Sequence, residues 1–505
     1  MTRSKNSLFN AITAMGMTLV NGLLGIVVTR FVLARFGSDF NGLNSTANQI
    51  INVLLILEGG FTMASNVALF APLTQGDYNT VNGVLGATRR KFMRVGLIFL
   101  GVGSVIAVVY GLVANSSLPF EFVATLILMT VVPAAFNLFY ATTYRVLLQT
   151  QQKEYVINII TIFTIGGGHI ANIVMIAMGG PMWAVRFNTM VFALFNSLLI
   201  ACYVKRKTRF LDFKVPHRPE LIKGTGDVMA QRITGVVYNS APIVFLSISP
   251  TGGTALASVY AVYNNVFIMV KSLLHSFIDA PRLSFGQMLT EKDKDEVWGV
   301  YAQYEYLAFY ATFLLVSTCA ALILPFIGLY TGDLADAVNY YDIKIALLMV
   351  IIAALEMIHI PSGHLINMAG HFRISRNIQV ISCAVLVVTM SVGGIVWGIY
   401  GMLVAILLCA VLLCVMEMGY VHVRFFPGKL LQMCRLVLPL IITGVVLCCF
   451  EMKLPLQLDN YFLFILYGAC FAAVNGIAGL LVGVVFNKKE LFPLVKRGIQ
   501  LLKRK

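Results

Sequence analysis

Apolar runs of about twenty residues or more, each long enough to cross the roughly 30 Å hydrocarbon core of a bilayer as a helix, recur from one end of this chain to the other. They fall near 8–34, 41–70, 92–114, 121–148, 155–178, 181–204, 226–250, 253–282, 298–329, 343–370, 374–396, 398–423, 429–450 and 460–486. Lipid offers no partner to backbone N–H and C=O groups, so a spanning segment must be a helix or part of a closed barrel, and runs of this length without alternation are helices. The chain is therefore predicted to be an all-α integral membrane protein with about fourteen transmembrane helices. Only 12% of its 505 residues are charged, against about 25% in soluble domains, and no stretch between the runs can bury a core of its own.

A formal charge of +15 would point to nucleic acid in a soluble protein. Here the basic residues cluster at the ends of apolar runs, so topology accounts for them and no nucleic-acid partner is expected. Placing the N-terminus inside puts Arg89, Arg90, Lys91 and Arg94, the stretch Lys205–Lys223 and the C-terminal tail on one face, with most of the 37 Lys and Arg residues. Acids such as Glu121, Asp333, Asp336 and Asp459 then mark the other face. Both termini are predicted to be cytoplasmic. The start, MTRSKNSLFNAITAMG, reads as an uncleaved first helix. The tail KKELFPLVKRGIQLLKRK mixes leucines with lysines, as a segment resting on anionic membrane lipids would. The nine cysteines lie in or beside apolar runs with no metal spacing, so neither a metal nor any other cofactor is expected.

An internal repeat sets the organisation. At an offset of about 216 residues Asn48 meets Asn264, Leu73-Thr74 meets Leu289-Thr290, and Asp77 meets Asp293. Six spans per half is an even number, so the halves run in the same direction and form two six-helix lobes in a pseudo-two-fold arrangement, with two extra C-terminal helices. The predicted division is a first lobe at 1–204, a basic cytoplasmic linker at 205–225, a second lobe at 226–423, an appended helix pair at 424–486 and an amphipathic tail at 487–505.

Ionisable and strongly polar residues inside such runs are costly and so mark candidate function. Asn264, Lys271, His275 and Asp279 recur at intervals of seven and four, which brings them onto one helical face; Arg282 lies just beyond. Glu58 has Thr62 and Ser65 on its face and Asn44, Asn48 and Asn52 on a neighbouring one. Arg30, Arg145, Arg186 and Arg232 add fixed positive charge, and with Asn48, Glu58 and the face of Asn264, Lys271, His275 and Asp279 they would line a basic cavity suited to an anionic head group. Glu58, Asp279 and Glu356 are candidate ion-coupling carboxylates. The run holding Glu356, His359, Pro361, Gly363, His364 and Asn367 contains a helix-breaking proline and reads as a hinge. No nucleophile elbow, phosphate loop or dinucleotide fingerprint is present, so the chain is not expected to be an enzyme.

The segment RFVLARFG, followed by FNGLNSTANQIINVLLILEGGFTMASNVALFAPL and a loop beginning QGD, resembles the polysaccharide flippases of the multidrug/oligosaccharidyl-lipid/polysaccharide exporter superfamily. That resemblance implies movement of undecaprenyl-pyrophosphate-linked repeat units to the outer leaflet of a bacterial inner membrane, for capsule, exopolysaccharide or O-antigen assembly. It also implies alternating access around a cationic cavity, a monomer, and glycosyltransferase or polymerase partners. A cation-coupled multidrug antiporter and a peptidoglycan lipid flippase share the superfamily. A membrane-embedded glycan polymerase or ligase is the alternative of another class, and the short outer connection YTGDLADAVNYYDI offers no catalytic arginine or histidine for it.

Overall fold

The computed structural model describes residues 3–503 apart from 59–60, 223–225, 292, 335–337 and 455–459. Asp336 and Asp459, and the side chains of Asp279 and Arg282, lie outside the described residues. Among the described residues there is no strand. Among the described residues eleven helices are long and apolar enough to cross a membrane, and each predicted run falls on helical segments. Large apolar side chains point away from the protein along these helices: Leu112 is 72% exposed, Phe462 76%, Met178 81% and Leu431 82%. A surface of that kind is stable against lipid, not water.

The chain forms two compact units, one built mainly on residues 1–258 and the other on 259–505. The first contains α1 (Arg3–Leu54), α2 (Phe61–Gln75), α3 (Tyr78–Val113), α4 (Phe120–Tyr140), α5 (Thr142–Thr150), α6 (Glu154–Thr161), α7 (Gly167–Ala177), α8 (Met182–Lys207) and α9 (Gly226–Ile248). Helix α10 (Thr254–Glu291) carries the chain into the second unit, which continues with α11 (Lys294–Thr331), α12 (Ile343–Ile358), α13 (Ile360–Met368), α14 (Phe372–Gly419), α15 (Leu430–Glu451), α16 (Tyr461–Phe486) and α17 (Lys488–Lys503). Helix α9 packs along α1 and belongs to the first unit, which extends to Ser258. The C-terminal pair α15 and α16 packs on α11, and α17 is held there too, with Leu491 buried.

Two of the long helices are each two segments in series. Gly37 adopts φ 81° and Gly398 φ 57°, values that favour glycine because a Cβ would collide with the backbone. Four predicted runs are also interrupted. Between α1 and α2 the backbone tightens into a 3-10 turn at Leu55–Glu58; α4 gives way to α5 at Ala141; a π-helical turn at Ile162–Gly166 separates α6 from α7; and α12 breaks to α13 at His359. Irregular backbone at membrane depth is tolerated where protein or a wet cavity supplies partners.

Asp77 and Asp293 precede the long helices α3 and α11, and each is the N-cap residue. Asp77 accepts a hydrogen bond from the Thr80 amide at 3.0 Å, and the Thr80 side chain and amide hold its carboxyl below the usual range. In both units the helix after this cap packs on the next one, α3 on α4 and α11 on α12.

The basic loop is docked rather than free. Phe210 stacks on Tyr78 at 4.3 Å between centroids, Arg89 lies 4.8 Å from the Phe213 ring, and Asn82 donates to the Phe210 carbonyl at 2.7 Å. The Arg218 amide donates to the Gly83 carbonyl at 3.1 Å and its guanidinium to Thr80 at 3.0 Å. Residues 208–222 thus form a strap over the first turns of α3. A Cβ at Gly83 would sit 2.9 Å from the Pro216 carbonyl oxygen, closer than real Cβ contacts allow. Gly83→Val is expected to lift the strap, read as faster amide hydrogen exchange over 210–218 with α3 still protected. Exchange unchanged from the parent would show that the close approach is dispensable.

Candidate functional site

The first unit contains a cavity of about 250 Å³ walled by α1, α4, α5, α8 and the π-helical turn. Arg186 of α8 projects into it and is only 5% exposed. Its Nη1 donates to Asn44 Oδ1 at 2.7 Å, its Nη2 to Asn48 Oδ1 at 2.8 Å and to Thr130 Oγ1 at 2.6 Å, and its Nε to Thr130 Oγ1 at 3.0 Å. Every acceptor is neutral. Hydrogen bonds hold the guanidinium in one orientation, but its charge has no counter-charge among them, and a buried charge without one is several kcal/mol unfavourable.

Arg145 of α5 lines the same cavity. Its Nη2 donates to Asn196 Oδ1 at 2.8 Å, while its Nε is buried without a hydrogen-bond partner. Asn196 is fixed in turn by Thr164 at 2.7 Å, on the π-helical turn. Glu58 lies near enough to act on Arg145 electrostatically, and its carboxylate accepts from the Thr62 hydroxyl. The site is therefore a polar socket with two guanidinium groups, one carboxylate at its edge and an orphaned N–H. Guanidinium groups placed this way can donate to the oxygens of an anion.

The second unit holds several acid–base pairs. Lys271 Nζ on α10 lies 2.8 Å from Glu356 Oε2 on α12. His359, at the α12–α13 break, places Nδ1 2.8 Å from Glu417 Oε2 on α14. Deeper still, His422 Nε2 lies 3.0 Å from Glu305 Oε2 on α11, both side chains fully buried. His422 Nδ1 faces the Met418 carbonyl at 2.8 Å, which can only accept, so Nδ1 carries a proton. Tyr301 donates to Glu305 at 3.2 Å, and Tyr304 pairs with His364 at 2.8 Å.

Of the residues singled out from the sequence, the structure brings Asn48, Arg145 and Arg186 into one cavity, with Glu58 beside it. Lys271 and Glu356, read separately, are one ion pair. His275 lies on the same helix, its ring 6.4 Å from that of His364, and Asn264 is half-buried there. Arg30 on α1 is half-buried and Arg232 on α9 exposed; neither lines the cavity. The expected hinge coincides with the break at His359, just before Pro361. Sequence reasoning missed Thr130 and Asn196, which are unremarkable polar residues in apolar runs. It also missed Glu305 and Glu417, where a lone carboxylate inside an apolar run was the available signal.

Helices broken at polar pockets, in a chain whose outer surface suits lipid, mark a multi-pass membrane protein. The chain shares its fold with solved transporters of the multidrug/oligosaccharidyl-lipid/polysaccharide exporter superfamily. It is similar to the solved structure "Lipid II flippase MurJ, inward closed conformation", with a TM-score of 0.69 and 14% identity over 95% of this chain and 99% of that one. An inward-facing multidrug resistance MATE family transporter of that superfamily gives a TM-score of 0.64 at 12% identity, covering 81% of this chain and 98% of its own. An outward-facing one gives 0.53 at 13% identity, covering 86% and 97%. At such identities the likeness is one of fold. No family model and no curated protein matches the sequence.

Proposed function

We propose that this protein is a flippase that carries an undecaprenyl-pyrophosphate-linked oligosaccharide repeat unit from the cytoplasmic to the outer leaflet of a bacterial inner membrane. It does so by alternately exposing its substrate site to the two sides. The observation that carries this reading is Arg186, a buried guanidinium oriented by three neutral side chains in a cavity shared with Arg145. A diphosphate supplies the missing counter-charge and several acceptor oxygens. A drug cation would meet like charge in this cavity. The glycan extends beyond it, the polyprenyl chain stays in lipid, and glycosyltransferases and a polymerase act before and after transport. Termini on the cytoplasmic side and a tail resting on anionic lipid belong to the same reading.

The work comes from the membrane potential. A head group with about two negative charges, moved outward across an inside-negative membrane, gains roughly 4–5 kcal/mol per 100 mV. That biases the lipid roughly a thousandfold toward the outer leaflet. Vesicles containing the protein and the lipid-linked oligosaccharide, with a potassium-diffusion potential and no pH or sodium gradient, should accumulate it on the positive side. Reversing the potential should reverse the direction. Accumulation that ignores the potential but follows a proton or sodium gradient would instead favour a cation-coupled antiporter. Movement of a peptidoglycan precursor, with the oligosaccharide left in place, would favour a peptidoglycan lipid flippase.

A further inference from the structure

The three acid–base pairs described above differ in what can happen to them. Glu356 is held by Lys271, whose ammonium group lies 2.8 Å from its carboxylate. Glu305 and His422 are sealed, with no exposed side-chain surface, and the second ring nitrogen is spent on a carbonyl. Glu417 is different. Its side chain is 3% exposed, and its ion-pair partner is an imidazole, His359, whose side chain is 16% exposed. A buried carboxylate opposite an imidazole is charge-balanced only when the pair holds an extra proton, and imidazole is the side chain that gains and loses one between about pH 5 and 8.

The place of this pair gives the proton a mechanical consequence. His359 is the residue at which α12 ends and α13 begins, so its contact with Glu417 ties the break to α14. Pro361 removes a helical hydrogen bond just beyond, and Gly363 lies so close that a Cβ there would sit 2.7 Å from Glu417 Oε2. The backbone around the break is thus loosely held along its own helix and tightly held across to α14. The groups that face the pair are Glu356 from its own helix, Cys414 beside Glu417 on α14, and Lys271 of α10 through its bond to Glu356. From α11, Tyr301 meets Ser362 and Tyr304 meets His364, both on α13.

We propose that His359 and Glu417 form a proton-binding site that clamps the α12–α13 hinge. With the proton bound, imidazolium and carboxylate attract across the break and the hinge is held. When the proton leaves, a neutral imidazole faces a buried carboxylate, the attraction falls, and the hinge is free to change angle. A metal ion suits the position poorly, since among the described residues no three His, Cys, Asp or Glu side chains cluster for one.

Nitroxide labels at Ile351 on α12 and Phe372 at the start of α14 would straddle the break; both positions are exposed. In the full-length protein, reconstituted in vesicles without native cysteines, the label-to-label distance distribution should have one main population at pH 5. A second should grow to at least a several-fold larger share by pH 8. Glu417→Gln and His359→Gln should each abolish that pH dependence, and Lys271→Gln, in a neighbouring pair, should retain it. No cargo is needed, so this outcome is separate from that of the transport reading. Distributions identical at both pH values in the parent protein would overturn the proposal. So would a pH response that survives both glutamine variants, or a shift that follows sodium at fixed pH.

Discussion

Arg186→Ala is expected to abolish glycan-lipid transport at normal membrane abundance. The guanidinium is the point on which Asn44, Asn48 and Thr130 converge, and it faces the cavity with its charge uncompensated. Truncating a buried, hydrogen-bonded charge at a binding surface costs about 2–5 kcal/mol, which is roughly thirty- to several-thousand-fold in affinity for the anion. Arg186→Lys should recover little of it, because one ammonium cannot meet three acceptors in the geometry of the planar fork. The measurement is flipping of the lipid-linked oligosaccharide in vesicles against protein content. Transport by the alanine variant within about threefold of the parent, well inside the loss expected, would remove the cavity from the route.

The second large effect is on stability. Glu305 and His422 face each other with no exposed surface, and removing either partner leaves the other polar and buried. His422→Ala is expected to destabilise the second unit by about 3–5 kcal/mol, seen as a lower unfolding temperature in detergent. Replacing both at once by apolar residues of similar size, Glu305→Met with His422→Leu, should recover most of that loss, since the desolvation cost of the pair disappears with it. A double variant no better than the single one would show that the pair contributes more than mutual compensation.

The Lys271 face and the Arg186 cavity differ in how far the sequence reveals them. Lys271, His275 and Asn264 share a helical face that spacing alone makes visible, and α10 is continuous through them. Their partners are not visible, because Glu356 is 85 residues from Lys271 and nothing local encodes that meeting. Arg186 stands out as a charge in an apolar run, yet its acceptors come from α1 and α4, more than fifty positions away in sequence. The breaks divide the same way. Pro361 announces the one at His359, whereas the one at Ala141 follows from packing and has no proline or glycine to mark it. Periodicity and helix-breaking residues act over a few turns, and they specify helices well. Ion pairs and pockets are properties of helices brought side by side, so one strand of sequence holds only half of each.

The strap over α3 bears on how the protein is made. All the partners of residues 208–222 described above, from Tyr78 to Arg89, are synthesised before it. As the ribosome proceeds from the N-terminus, the strap can close over α3 as soon as it emerges after α8, with nothing of the second unit yet translated. Docking at that moment would cover the carbonyl of Gly83 and the ring of Tyr78 while the remaining helices are still being inserted. A loop rich in lysine and arginine thereby serves as a stitch that ties down the start of α3 before α9 joins the same unit.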